Sequence, residues 1–196
     1  MPAKHFALSA AIFEGSLAVV AVGLGWLVGQ PPLQTLRLDP YHAALGVAAA
    51  LPPLVLFWLC LRCPLRPFAR ITRILDEMVL PLFRNCGLGE LAVIAALAGI
   101  GEETLFRGVI QAAVAQHIGG PPGVWLGLLV AGVLFGLLHP VTPTYAVMAG
   151  AIGLYLGWLW LVWGNLLLPI VTHGVYDFVA LLYLLRTRQE RREAGD

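Results

Sequence analysis

Between positions 108 and 185 the chain runs for 78 residues with a single formally charged side chain, Asp177. Soluble domains carry charge on about a quarter of their residues. This chain of 196 residues carries it on 12%, with 59% hydrophobic residues and a mean hydropathy of +0.83. Those figures exclude an ordinary water-soluble globule and a disordered chain. A net charge of +1 also excludes a basic nucleic-acid-binding domain, so no nucleic-acid partner is expected. The sequence is that of an integral membrane protein, with the lipid bilayer as its surroundings.

Crossing about 30 Å of hydrocarbon takes about 20 mostly apolar residues. Six segments qualify, at roughly 6–29, 41–61, 88–118, 123–139, 143–163 and 165–185. Turn-forming residues punctuate them at Gln30-Pro31-Pro32, Asp39-Pro40, Gly119-Gly120-Pro121-Pro122, His139-Pro140 and Gly164-Asn165. Pro52-Pro53 falls inside the second segment and predicts a kink or break there. The first segment is longer than the apolar core of a signal peptide and is interrupted by Glu14, so it reads as a retained span. From 66 to 85, arginines at 70, 73 and 84 alternate with Ile71, Ile74, Leu75, Val79 and Leu82 in a spacing that suits a helix lying in the interface. The fold class is therefore all-α: one membrane-embedded domain over 1–196, a polytopic bundle of about six spans with an interfacial helix.

Orientation follows from the basic residues. With six spans, Lys4, the arginines at 62, 66, 70, 73 and 84, and those at 186, 188, 191 and 192 fall on one side, and Arg37 alone on the other. Both termini are expected to be cytoplasmic, with 186–196 a solvated tail. Arginine outnumbers lysine 11 to 1 in a small compact chain, which leads us to expect a prokaryotic cytoplasmic membrane. Cys60, Cys63 and Cys86 are too few for a disulfide framework, and the one CxxC at Cys60–Cys63 has no second pair to complete a zinc site. They read as reduced thiols.

Ionisable side chains inside a bilayer are expensive and mark functional sites by default. Three clusters stand out: Glu102-Glu103-Thr104-Leu105-Phe106-Arg107 in the third segment, Phe135 to His139 closing the fourth, and His173 to Asp177 within the sixth. Glu103 and Arg107 are four apart and share a helix face, where they neutralise one another. Glu102 sits about 100° around the helix, lacks that arginine, and must find another polar partner. His173 and Asp177 are also four apart. His5, His42 and His117 have no carboxylate at i±4 and read as interfacial.

Taken singly, each cluster is explicable as helix-to-helix glue. Together they form an inventory of acids and imidazoles on neighbouring spans. Low-dielectric surroundings disfavour a charged carboxylate, which suits a glutamate to act as general base on water. Imidazoles orient that water or donate to a developing oxyanion. No serine lies in any cluster and no cysteine is near a histidine, so attack by water is favoured over a side-chain nucleophile. Glu102, His139 and His173 are also an alternative zinc ligand set, although HExxH is absent.

Glu102-Glu103-Thr104-Leu105-Phe106-Arg107 as EExxxR, Phe135–His139 as FxxxH and His173–Asp177 as HxxxD resemble the three motifs of the CAAX-protease and bacteriocin-processing (CPBP, or Abi) family. These are intramembrane endopeptidases related to the eukaryotic enzyme that trims prenylated CAAX proteins. The resemblance spans 88–185, the expected catalytic core. It implies that Glu102 activates water, that Glu103 and His139 organise the site, and that His173 stabilises the oxyanion, with Arg107 and Phe135 in support. No cofactor is implied, zinc remaining the alternative. Asp177 departs from the family's eukaryotic members, which carry asparagine there; an ionised aspartate only accepts hydrogen bonds, so it orients His173 rather than donating to an oxyanion. The six spans are fewer than the about eight of larger relatives, helices that bear on substrate entry.

The expected activity is hydrolysis of a peptide bond in a membrane-anchored protein or peptide precursor. For a prokaryotic membrane, a C-terminal sorting tail or peptide precursor is a more natural substrate than a prenylated protein. Two alternatives belong to other classes. One is a non-catalytic immunity or scaffold protein. The other is a proton or ion carrier using Glu102, Glu103 and Asp177, which would be expected to show inverted internal repeats that this sequence lacks.

Overall fold

A computed structural model describes residues 3–193, with side chains from 6 to 188. The side chains of Lys4, Arg191 and Arg192, and residues 194–196 of the expected tail, lie outside the described residues. Among the described residues every regular element is helical. In order they are α1 (Ala3–Leu27), α2 (Pro40–Ala49), α3 (Leu51–Arg62), α4 (Arg66–Ile74), α5 (Leu80–Phe83), α6 (Leu88–Glu103), α7 (Ala112–Ile118), α8 (Gly120–Leu137), α9 (Pro143–Trp163) and α10 (Leu167–Glu193). Two π-helical segments, Leu75–Val79 and Thr104–Gln111, join α4 to α5 and α6 to α7.

Five helical stretches are long and apolar enough to cross a membrane: Phe6–Leu27, Pro40–Arg62, Gly120–Leu137, Pro143–Trp163 and Leu167–Arg188. Leu88–Ile118, which carries Glu90, Glu102, Glu103 and Arg107, meets that standard only together with Arg66–Phe83, across a bend of 114°. The polytopic bundle of five to six spans is thus present, and the segment that departs from simple apolarity is the one bearing the acidic motif. Large apolar side chains of the spans, such as Trp26, Leu27, Val47 and Val147, face outward, as lipid contact requires.

Local chemistry explains the ends. The second span is interrupted at Ala50, between α2 and α3, just ahead of Pro52-Pro53, whose rings cannot continue a hydrogen-bonded helix. Asp39 caps α2 by accepting from the His42 backbone N–H at 2.9 Å, and Thr142 caps α9 by accepting from Tyr145 N at 3.0 Å. Gly164 ends α9 in the left-handed conformation, φ 58°, which favours glycine. Beside it, fully buried Asn165 accepts from the backbone N–H groups of Arg37 (3.0 Å) and Leu167 (3.1 Å) and donates to Arg37 O (2.9 Å) and Asp39 Oδ2 (3.0 Å). This clasp ties the loop before α2 to the start of α10. The expected interfacial helix is divided by the Leu75–Val79 segment, and Asp76 Oδ1 accepts from Arg188 Nε at 2.8 Å. The last helix does not end near 185: it continues to Glu193, so the stretch expected as a tail begins helical.

Packing centres on α6. One side of it lies against α1, another against α10, while the π segment that follows touches α1, α8 and α9. All three polar clusters thereby meet around a single rod.

Candidate active site

α6 passes into the wide π segment one residue after Glu103, without a break in the helix. Short π stretches inside α-helices recur at functional sites. Glu103 and Arg107 are both 0% exposed, and Arg107 Nη1 donates to Glu103 Oε1 at 3.0 Å. Arg107 Nη2 donates to the Gly153 carbonyl on α9. The guanidinium also lies 5.1 Å from the centre of the Phe135 ring and 5.8 Å from that of Phe106, within cation–π range. One turn further on, buried Gln111 Nε2 donates to the Gly157 carbonyl at 3.2 Å. These two rungs need a bare α9 surface: a Cβ on Gly157 would sit 2.5 Å from Gln111 Oε1, and one on Gly153 3.0 Å from Phe135 Cβ.

α10 supplies the next layer. Buried His173 donates from Nδ1 to Glu103 Oε1 at 2.8 Å, while Nε2 lies 3.4 Å from Asp177 Oδ2. Both ring nitrogens face carboxylates, and a ring that donates on both sides satisfies both. The helices meet this closely because Gly99 lies on the backbone of α10: a Cβ there would be 2.6 Å from Ile170 O and 3.0 Å from Gly174 N. The i,i+4 pairing of His173 with Asp177 is thus joined by a bond from Glu103, which helical spacing alone does not reveal.

His139 follows α8 and stacks on Phe135, with ring centroids 4.6 Å apart and planes at 22°. Its Nδ1–H donates to the Phe135 carbonyl at 2.7 Å. In the neutral ring this bond fixes the tautomer and leaves the lone pair on Nε2. Nε2 faces Glu102 Oε2 across 3.8 Å, longer than a direct hydrogen bond. Glu102 Oε2 is buried and has no hydrogen-bond partner in the protein. The polar neighbour that Glu102 requires is therefore His139, which stands with His173 around the Phe135 ring. Partial exposure of the Glu102, His139 and Asp177 side chains, at 12%, 29% and 31%, marks where the cluster opens.

Two neighbours of the cluster are not apparent from motif spacing. Glu14 on α1 lies within electrostatic reach of Glu102, Asp177, His173 and His139. Tyr145, at the start of α9, packs on the Phe106–Phe135–Ala149 cluster with its ring centre 6.5 Å from that of His139. Glu14 is visible as the lone acid of an apolar span, but nothing local says which span it faces. As for metal ligation, His139 Nδ1 and both His173 nitrogens are already engaged, leaving His139 Nε2 and Glu102. Among the described residues no group of three or more His, Cys, Asp or Glu is arranged to hold a metal ion.

The model of the family described as type II CAAX prenyl endopeptidase Rce1-like matches residues 85–179, a stretch that opens just before α6 and closes two residues past Asp177. No curated protein and no solved structure matches the chain.

Proposed function

Through residues 85–179 the chain belongs to the Rce1-like family of type II CAAX prenyl endopeptidases, and from that premise we propose that it hydrolyses a peptide bond of a membrane-anchored protein or peptide with water activated by Glu102. The observation that carries this reading is the 3.8 Å facing of Glu102 Oε2 and His139 Nε2. Both are acceptor atoms when the carboxylate is ionised and the ring neutral, and a water molecule donating to the two satisfies both. Glu102 then takes one proton of that water as its oxygen adds to the scissile carbonyl carbon. His173 is held tightly on its Nδ1 side by Glu103 and loosely on its Nε2 side by Asp177. From Nε2 it is suited to donate to the oxyanion that forms. Asp177 orients the ring and Glu103–Arg107 fixes the floor beneath it. These residues need no bound metal in this scheme.

Full-length protein purified in detergent provides the test, with an internally quenched farnesylated CAAX peptide chosen from the description of the matched family. Wild type is expected to cleave the peptide and Glu102→Gln to lose about 10²-fold or more in rate, the scale of a general base. Equal rates for wild type and Glu102→Gln would refute the assignment.

A further inference from the structure

We propose that Glu14 is a further catalytic carboxyl of this site, sharing one proton with Glu102 and delivering it to the leaving amine. The inference rests on the reading of Glu102 as the base and adds the acid that such a reaction needs.

Three observations support it. The Glu14 backbone and Leu17 lie against Gly101, where an added Cβ would stand 3.1 Å from Leu17 Cβ, so the helix turn bearing Glu14 is seated on the residue next to Glu102. Glu14 Oε2 is buried without a protein hydrogen-bond partner, as is Glu102 Oε2. The charged and titratable groups around Glu14 are Glu102 from α6, His139 after α8, and His173 and Asp177 from α10.

A count of charges then assigns the proton. Arg107 and a His173 that donates on both sides offset Glu103 and Asp177, each at hydrogen-bond or ion-pair distance. A neutral His139, donating from Nδ1 to the Phe135 carbonyl, offers Glu102 only its Nε2 lone pair. With that ring neutral, Glu14 and Glu102 remain without a cation at hydrogen-bond distance, His139 Nε2 standing 3.8 Å from Glu102. Two neighbouring carboxyls in a low-dielectric site do not both ionise, and they titrate as a pair.

The chemistry balances. Ionised Glu102 takes a proton from water as the water oxygen bonds to the carbonyl carbon. When the tetrahedral intermediate collapses, the C–N bond breaks and the amide nitrogen takes the proton of Glu14. The site ends with the proton on Glu102 and the charge on Glu14, and transfer between the two carboxyls restores the starting state.

Infrared spectroscopy of the full-length protein in detergent tests the proton without a substrate. At neutral pH, wild type is expected to show the C=O stretch of a buried protonated carboxyl, shifted in D2O, and Glu14→Gln to lose it. On the quenched farnesylated peptide, Glu14→Gln is expected to lower kcat about 10²-fold with KM unchanged, to lose the alkaline limb of the kcat–pH profile, and to regain part of its rate as Glu14→Asp. A Glu14→Gln protein that keeps the carboxyl band and the wild-type kcat, while Glu102→Gln is inactive, would overturn this inference and leave the role of Glu102 standing. The opposite failure, an active Glu102→Gln, strikes the base instead.

Discussion

Glu103 and His173, 70 positions apart, share a hydrogen bond of 2.8 Å at an oxygen that also receives Arg107. One carboxylate oxygen thus joins an arginine of its own helix to a histidine of another. Glu103 is the keystone of the buried network, whereas Glu102 beside it turns to His139.

Adjacent glutamates should therefore respond differently to the same change. Glu103→Gln leaves Arg107 charged and uncompensated in the interior, and breaking a buried pair costs about 3–5 kcal/mol. The expected result is lower folded yield and a lower melting temperature in detergent. Glu102→Gln removes a carboxyl with no protein donor, so the fold should be unharmed or slightly more stable while cleavage is lost. The reverse pattern would exchange their roles.

Helix contact predicts a graded response among glycines. At Gly99 an added Cβ meets α10 backbone at 2.6 Å, and backbone cannot turn aside. Gly99→Ala should cost about 1–3 kcal/mol and reduce activity by separating Glu103 from His173. Gly150, whose nearest neighbour would be Gly132 O at 3.4 Å, has ordinary room. Gly150→Ala should be neutral or stabilising by about 0.5–1 kcal/mol through helix propensity. Thermal unfolding of the two proteins distinguishes them.

Outside the spans, Asp39 makes the polar clasp sensitive to acid. The His42 backbone N–H, followed by the His42 side chain, holds its carboxyl below the usual carboxylate range. A depressed value in the folded state stabilises fully above the unfolded value, about 3.9, and that contribution fades as pH falls through the folded one. Melting temperature should decline with acidification in this window, and Asp39→Asn should flatten that decline.

Metal dependence has a direct check. Strong zinc chelators should leave peptide cleavage intact if Glu102 acts through water alone. Loss of activity that zinc restores would make His139 and Glu102 ligands, with His173 joining them only by giving up Asp177.

Topology can be read with reporters fused to each end. The excess of basic residues on one side predicts a cytoplasmic signal from both. A signal from the opposite side at the C-terminus would mean five crossings in place of six.

Most of the membrane architecture is legible in the sequence because lipid imposes a length and a composition on every span, and Pro143–Trp163 begins and ends where its flanking residues say. The pairing of Glu103 with Arg107 is legible too, since helical spacing dictates it. The bond to His173, the rungs from Arg107 and Gln111 to α9, and the seat of Glu14 depend on which helix packs against which. That information is spread over Gly99, Gly101, Gly153 and Gly157, each of which looks like any small residue of a membrane helix. The π segment has no local signature, because its wider turn is selected by the contacts it serves. The run of α10 past 185 reflects a preference that polar arginines and glutamates satisfy as well as leucine does.

Thr104–Gln111 acts as a phase joint within one unbroken rod. Ahead of it, Gly99 and Gly101 present their faces to α10 and α1; at its far end Gln111 addresses α9, and Arg107 within it reaches both ways. Deleting one residue between Glu103 and Arg107 would turn the glutamate end against the arginine end by about 100°, one α-helical step. The motif's spacing is therefore a measure of rotation as much as of distance, and families of such chains should tolerate substitution between Glu103 and Arg107 far better than any change in the number of residues separating them.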